Sequence, residues 1–134
     1  MGLIITLAVE DIDSSAYFYR DLLQLPLQHY TLDNSEEEIL LLEQGDTAIL
    51  LRASSAVEAE HPAALQHLQR HNKGVGISFD FKIDNLDLVM RCLAHHNIAT
   101  LHESDDQQHG IRELWLYDPD HYLLILTETA ADND

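Results

Sequence analysis

The sequence predicts an α+β fold in which two βαβββ modules build a curved mixed sheet around a shared cleft. Three observations carry that expectation. The chain repeats itself: Leu7-Ala-Val-Glu-Asp-Ile-Asp-Ser precedes a helical run with Phe18-Tyr-Arg-Asp-Leu-Leu, and Phe81-Lys-Ile-Asp-Asn-Leu-Asp-Leu precedes Val89-Met-Arg-Cys-Leu-Ala. A shift of 74 positions lays Val9 on Ile83, Asp11 on Asn85, Ile12 on Leu86 and Asp13 on Asp87. Each copy then reads as strand, acidic turn and amphipathic helix, with further strand-like segments after it, and a repeat fixes architecture before any single element does. Finally, 134 residues suit one ordinary domain with a real core.

The first module occupies residues 1–52. Leu3 to Val9 is a short apolar strand, and Asp11 and Asp13 supply side chains that cap the free N–H groups opening a helix. That helix is expected from Ser14 to Leu23, with Pro26 just past its end. Leu27 to Leu32 alternates in part and reads as strand, and Asp33-Asn34-Ser35 is turn material. Ile39 to Leu42 and Thr47 to Arg52 form a hairpin about Gln44-Gly45-Asp46.

Residues 53–75 break the pattern with Ser54-Ser55, Pro62 and Gly74, and read as a connector with a weak helical piece near Ala63 to Gln69. His67 and His71 stand at i,i+4, a spacing that can hold a metal on one helix face. No acidic or cysteine partner stands at a confirming spacing, so an exposed polar helix is the preferred reading.

The second module covers residues 76–129. Gly76 to Ile83 alternates strictly, with Ile77, Phe79, Phe81 and Ile83 on one face and Ser78, Asp80 and Lys82 on the other. Leu86, Val89, Met90 and Leu93 form a helical stripe. Ile98 to His102 is strand-like and Asp105 to Gly110 a loop. Arg112 to Tyr117 and Tyr122 to Thr127 pair about Asp118-Pro-Asp-His121, and residues 130–134 are an acidic tail.

Composition narrows the function classes. With 24 acidic residues against 7 Lys and Arg, the net charge is −17. Such a chain is not steered to nucleic acid or anionic membrane, which need basic surface. It suits solubility, or an acidic groove that attracts a cation. No apolar run approaches the roughly 20 residues of a membrane-spanning helix. The short apolar start has no basic region before it, so no cleaved signal peptide is expected. A single cysteine, Cys92, excludes an internal disulfide and suits a cytoplasmic location; its helical pattern reads as packing.

On these residues the chain resembles the vicinal oxygen chelate superfamily, which contains glyoxalase I, extradiol dioxygenases and bleomycin-resistance proteins. The likeness rests on Val9-Glu-Asp-Ile-Asp with Phe18-Tyr-Arg-Asp-Leu-Leu, and on Asp118-Pro-Asp followed by an aliphatic strand. The family usually has Gly after Asp-Pro-Asp, where this chain has His121, so a somewhat differently built turn is expected. The resemblance implies one divalent metal held from four strand positions. Three of them fall on Ile4, Ser78 and Ile125, and the fourth lies in Thr47 to Arg52, a strand without His, Asp or Glu. Isoleucine cannot coordinate and a serine hydroxyl is a weak ligand, whereas such a site takes about three protein ligands. No metal and no other cofactor is therefore expected.

If position 4 faces the cleft as in the family, strand parity sends Thr6 there from the first module. Ser78, Asp80 and Lys82 follow from the second, together with Glu113, Trp115, Tyr117 and Ile125. Leu114, Leu116, Leu124 and Leu126 take the helix-covered face. An aromatic, apolar cleft with two acids, a lysine and hydroxyls suits a medium-sized organic ligand. The leading expectation is a metal-independent binding protein of the bleomycin-resistance type, a homodimer sequestering a cationic aromatic molecule. The alternative is a lyase, isomerase or dioxygenase of the same superfamily, with Asp80 or Glu113 as a base. A third reading is an interaction module whose cleft is plugged by Ile4, Leu123 and Ile125.

Overall fold

The repeat in the sequence is a repeat in three dimensions. A computed structural model describes residues 2–31, 36–65, 68 and 72–129. The chain divides into two compact units, Met1–Asn72 and Lys73–Asp134. The expected turn at Asp33-Asn34-Ser35, the His67/His71 pair and the acidic tail lie outside the described residues.

The first unit opens with β1 (Leu3–Val9), α1 (Ile12–Ala16) and β2 (Gln28–Thr31), and continues with β3 (Glu38–Gln44) and β4 (Thr47–Ala53). Its sheet has the order β1-β4-β3-β2, with β1 parallel to β4 and the other pairs antiparallel. Asp11 caps α1 by accepting from the Asp13 amide and the Ser14 hydroxyl. The helix begins two residues before the expected Ser14, and from Tyr17 to Leu22 it widens into a π-helix, with the Leu23 amide donating to the Phe18 carbonyl five residues back. Phe18, Tyr19, Leu22 and Leu23 are buried, as are Leu7, Val9, Leu40, Leu42, Ile49 and Leu51 on the strands.

Two short helices, α2 (Ser54–Glu60) and α3 (Pro62–Leu65), open the stretch expected as a connector. The Ser54 hydroxyl donates to the Val9 carbonyl, and Glu60 bonds Arg52, so α2 is tied to the first sheet.

The second unit repeats the plan with β5 (Ser78–Lys82), α4 (Leu86–His95), β6 (His102–Asp106), β7 (Ile111–Tyr117) and β8 (Leu123–Thr129). Its sheet runs β5-β8-β7-β6, again with the first and last strands parallel. Leu86, Val89 and Leu93 of the expected stripe are buried with Phe79, Phe81, Leu114, Leu116, Leu124 and Leu126. Asn85 caps α4 by accepting from the Leu88 amide, and Glu128 of β8 accepts from the Leu86 amide. Asn97 closes the helix in the left-handed region, φ 56°.

One strand departs from expectation. Ile98 to His102 does not form β6; the strand begins at His102 and runs through Asp106, which had read as loop. Its sequence, His-Glu-Ser-Asp-Asp, carries no apolar alternation because β6 is the sheet's edge, paired only with β7. The bend at Gln107–Gly110 fixes it instead: Gly110 has φ 66°, and the His109 amide donates to Asp106.

Candidate functional site

Alternation dictates which side chains leave each sheet on the face away from its helix, and register says which of them are neighbours. On the second sheet three rows result. Ser78, Leu123 and Tyr117 form one; Asp80, Ile125, Trp115 and His102 the next; Lys82, Thr127, Glu113 and Ser104 the third. The structure thus gathers seven of the eight candidate residues on one face of one sheet. Thr6 belongs to the first unit, on the corresponding face of β1 with Ile4 and Ala8.

The middle row is the chemical centre of this face. Trp115 is half-buried, and its indole N–H donates to Glu113 Oε1 at 3.1 Å, which holds the carboxylate against the ring. His102 meets Trp115 edge-on, with ring centroids 5.5 Å apart. Neighbouring strands stand about 4.8 Å apart, so Asp80 lies roughly 10 Å across the sheet from Trp115, with Ile125 as the floor between. Tyr117, at one end, is exposed and lies 5.4 Å from the His121 ring.

The turn that carries His121 is built on Asp118. Its buried carboxylate accepts from the amides of Asp120 (2.8 Å) and Tyr122 (2.9 Å), while the Asp118 amide donates to the Tyr122 carbonyl. His121 has φ 68°, a left-handed conformation that glycine adopts without steric cost. Gly74 packs against this turn: a Cβ there would stand 2.8 Å from the His121 carbonyl oxygen.

His102, Ser104 and His121 were missed by the sequence reading. Placing β6 four residues too early hid the first two, and pairing outward from the Gln107–Gly110 bend finds them. His121 was noticed as a departure from the family pattern without being assigned to the face.

The positions implied for the family's metal do not fit one. Ile4 is exposed beside Ala48, Ser78 lies beside Leu123, and the neighbour of Ile125 across the parallel pair is Asp80. Asp80 and Glu113 stand two strands apart and in different rows. Among the described residues no three His, Cys, Asp or Glu side chains cluster as a metal site.

Comparison with known proteins agrees with the topology. The family described as a glyoxalase-like domain matches residues 1–130. No curated protein matches the chain. A glyoxalase-related enzyme from Fulvimarina pelagi superposes with a TM-score of 0.68 at 14% identity, covering 100% of this chain and 95% of its own. A lactoylglutathione lyase from Agrobacterium tumefaciens gives 0.61 at 20% identity, covering 96% and 92%. A genomically encoded fosfomycin resistance protein from Listeria monocytogenes gives 0.63 at 17% identity, covering 98% and 96%. At these identities the likeness is one of fold.

Proposed function

The chain belongs to the glyoxalase-like domain family of the vicinal oxygen chelate superfamily, and from that premise we propose that it binds a small cationic aromatic molecule without a metal. The observation that carries this reading is the middle row of the second sheet, where the Trp115 indole stands beside Ile125 with the Asp80 carboxylate at the end of the row, while Glu113 of the adjoining row accepts from the indole N–H. An aromatic plane resting on Trp115 and Ile125 gains stacking and desolvation, and its charge is met by the two acids. Ser78, Thr127 and Lys82 orient polar substituents. The net charge of −17 speeds encounter with a cation. Binding of this kind amounts to sequestration by a homodimer in the cytoplasm.

Trp115 is the only tryptophan, so its fluorescence reports on this face alone. Titration with N-methylquinolinium, a permanent cation, is expected to quench it saturably, and 1-methylnaphthalene, its neutral isostere, to bind at least about tenfold more weakly. D80N is expected to narrow that difference. Equal affinities for the two would overturn the reading. Calorimetric titration with Ni²⁺, Zn²⁺, Mn²⁺ and Fe²⁺ is the companion experiment; one tight site per chain would put an enzyme of the same superfamily first.

A further inference from the structure

The binding face carries two imidazoles that the reading above does not use, and they stand at its two aromatic residues. His102 comes from the edge strand β6 and sits 5.5 Å from Trp115, its ring turned 78° to the indole. His121 comes from the turn after β7 and sits 5.4 Å from Tyr117. The second imidazole is there against backbone preference, since a side chain at φ 68° is strained and glycine would take the same turn freely. Gln24 and Asn97 hold the same region just past helix ends, whereas His121 holds it in a turn beside Tyr117, which prompts a hypothesis of a role for its side chain.

We propose that His102 and His121 are ligand-contacting residues that make the face proton-controlled. Neutral, they flank the Trp115 and Tyr117 rings; protonated, they place two positive charges beside those rings and expel a cationic ligand. The inference rests on the proposed binding reading. Imidazole is the ordinary side chain whose charge changes between about pH 5 and 8.

The surroundings set the direction. On β5, Asp80 and Lys82 share the face, and on β7 Glu113 and Tyr117 do. At the far end of β6, Asp106 is engaged by the His109 ring at 2.8 Å. In the turn, Asp118 is committed to backbone amides, and Asp120 is the remaining acid. Protonation of these imidazoles would place a charge beside each aromatic ring, with ring centroids 5.5 Å apart at Trp115 and 5.4 Å apart at Tyr117.

Two readouts test this, one of them without ligand. Protonated imidazole quenches a neighbouring indole, so Trp115 fluorescence of the free protein is expected to fall between about pH 8 and pH 6, and the step to vanish in H102N but persist in H121N. The affinity for N-methylquinolinium, whose charge does not titrate, is expected to fall about tenfold over the same interval and to stay level in H102N/H121N. Asparagine is chosen because it tolerates the left-handed region at position 121. A fluorescence signal insensitive to pH, or a pH dependence unchanged in the double variant, overturns the inference. A probe bound equally tightly at both pH values defeats the proton control alone, whereas a probe bound at neither defeats the underlying binding reading as well.

Discussion

Ser15 and His121 are two residues whose local physics runs against stability, in different ways. Ser15 is fully buried, and its hydroxyl has no hydrogen-bond partner among the described residues. A hydroxyl taken from water without a new partner is a net loss, and alanine is the better helix former. S15A is therefore expected to stabilise the protein by about 1 kcal/mol in urea or thermal unfolding. A loss of similar size would mean that Ser15 is hydrogen-bonded in solution. At His121 the left-handed backbone disfavours any side chain, while glycine adds entropy to the unfolded chain. These nearly cancel, so H121G is expected to match the wild type or exceed it by up to about 1 kcal/mol. H121V, β-branched at positive φ, is expected to lose about 2 kcal/mol. The family's glycine habit had suggested a differently built turn, yet His121 keeps the backbone that favours glycine and changes only the side chain.

At the scale of elements, what could be read in the sequence was whatever imposes a period. Strict alternation from Gly76 to Ile83 gave β5 and its two faces, and the 3,4 spacing of Leu86, Val89 and Leu93 gave α4. Neither the π-helix nor β6 has such a mark. Phe18, Tyr19, Leu22 and Leu23 stand at i, i+1, i+4 and i+5, a pattern that fits an α-helix as well as the wider turn, so only the bond from Leu23 to Phe18 distinguishes them. The tie among Arg52, Glu37 and Glu60 was equally invisible, since it joins β4 to the residues before β3 and to α2. Arg52 engages Glu37 through two bonds of 2.8 Å, and these, more than their charge attraction, hold the Glu37 carboxyl below its ordinary 4.5 against the opposing effect of burial. Because the unfolded chain takes up that proton first, the contribution is whole above about pH 4.5 and is lost as the pH falls through the lower folded value. E37Q is expected to cost about 1–2 kcal/mol at pH 7, and the gap to the wild type to close as the pH falls below about 4.5. A gap independent of pH would show that the pair acts through shape alone.

Over the whole molecule, the two units share topology and differ in what their sheets display. Beside Ile4, Thr6 and Ala8 the first sheet sets Ala48, Leu50 and Arg52, whereas the second sets acids, hydroxyls and rings in ordered rows. That difference was legible because parity follows from the pleat, while the ends of the rows at His102 and His121 needed the true register. Charge then acts on both units at once. With a net charge of −17, the folded chain holds its carboxylates closer together than the unfolded chain does, and self-repulsion opposes folding. Sodium chloride at about 0.5 M shortens the screening length to about 4 Å and relieves it. Thermal stability is therefore expected to rise by about 1 kcal/mol, or roughly 4 °C, between low salt and about 0.5 M. The same screening weakens the attraction of the face for a cation, so the affinity for N-methylquinolinium is expected to fall several-fold over that range. The opposite signs are the informative part. Salt that raised stability and left the affinity unchanged would mean that the ligand is held by stacking on Trp115, with Asp80 and Glu113 serving only solubility.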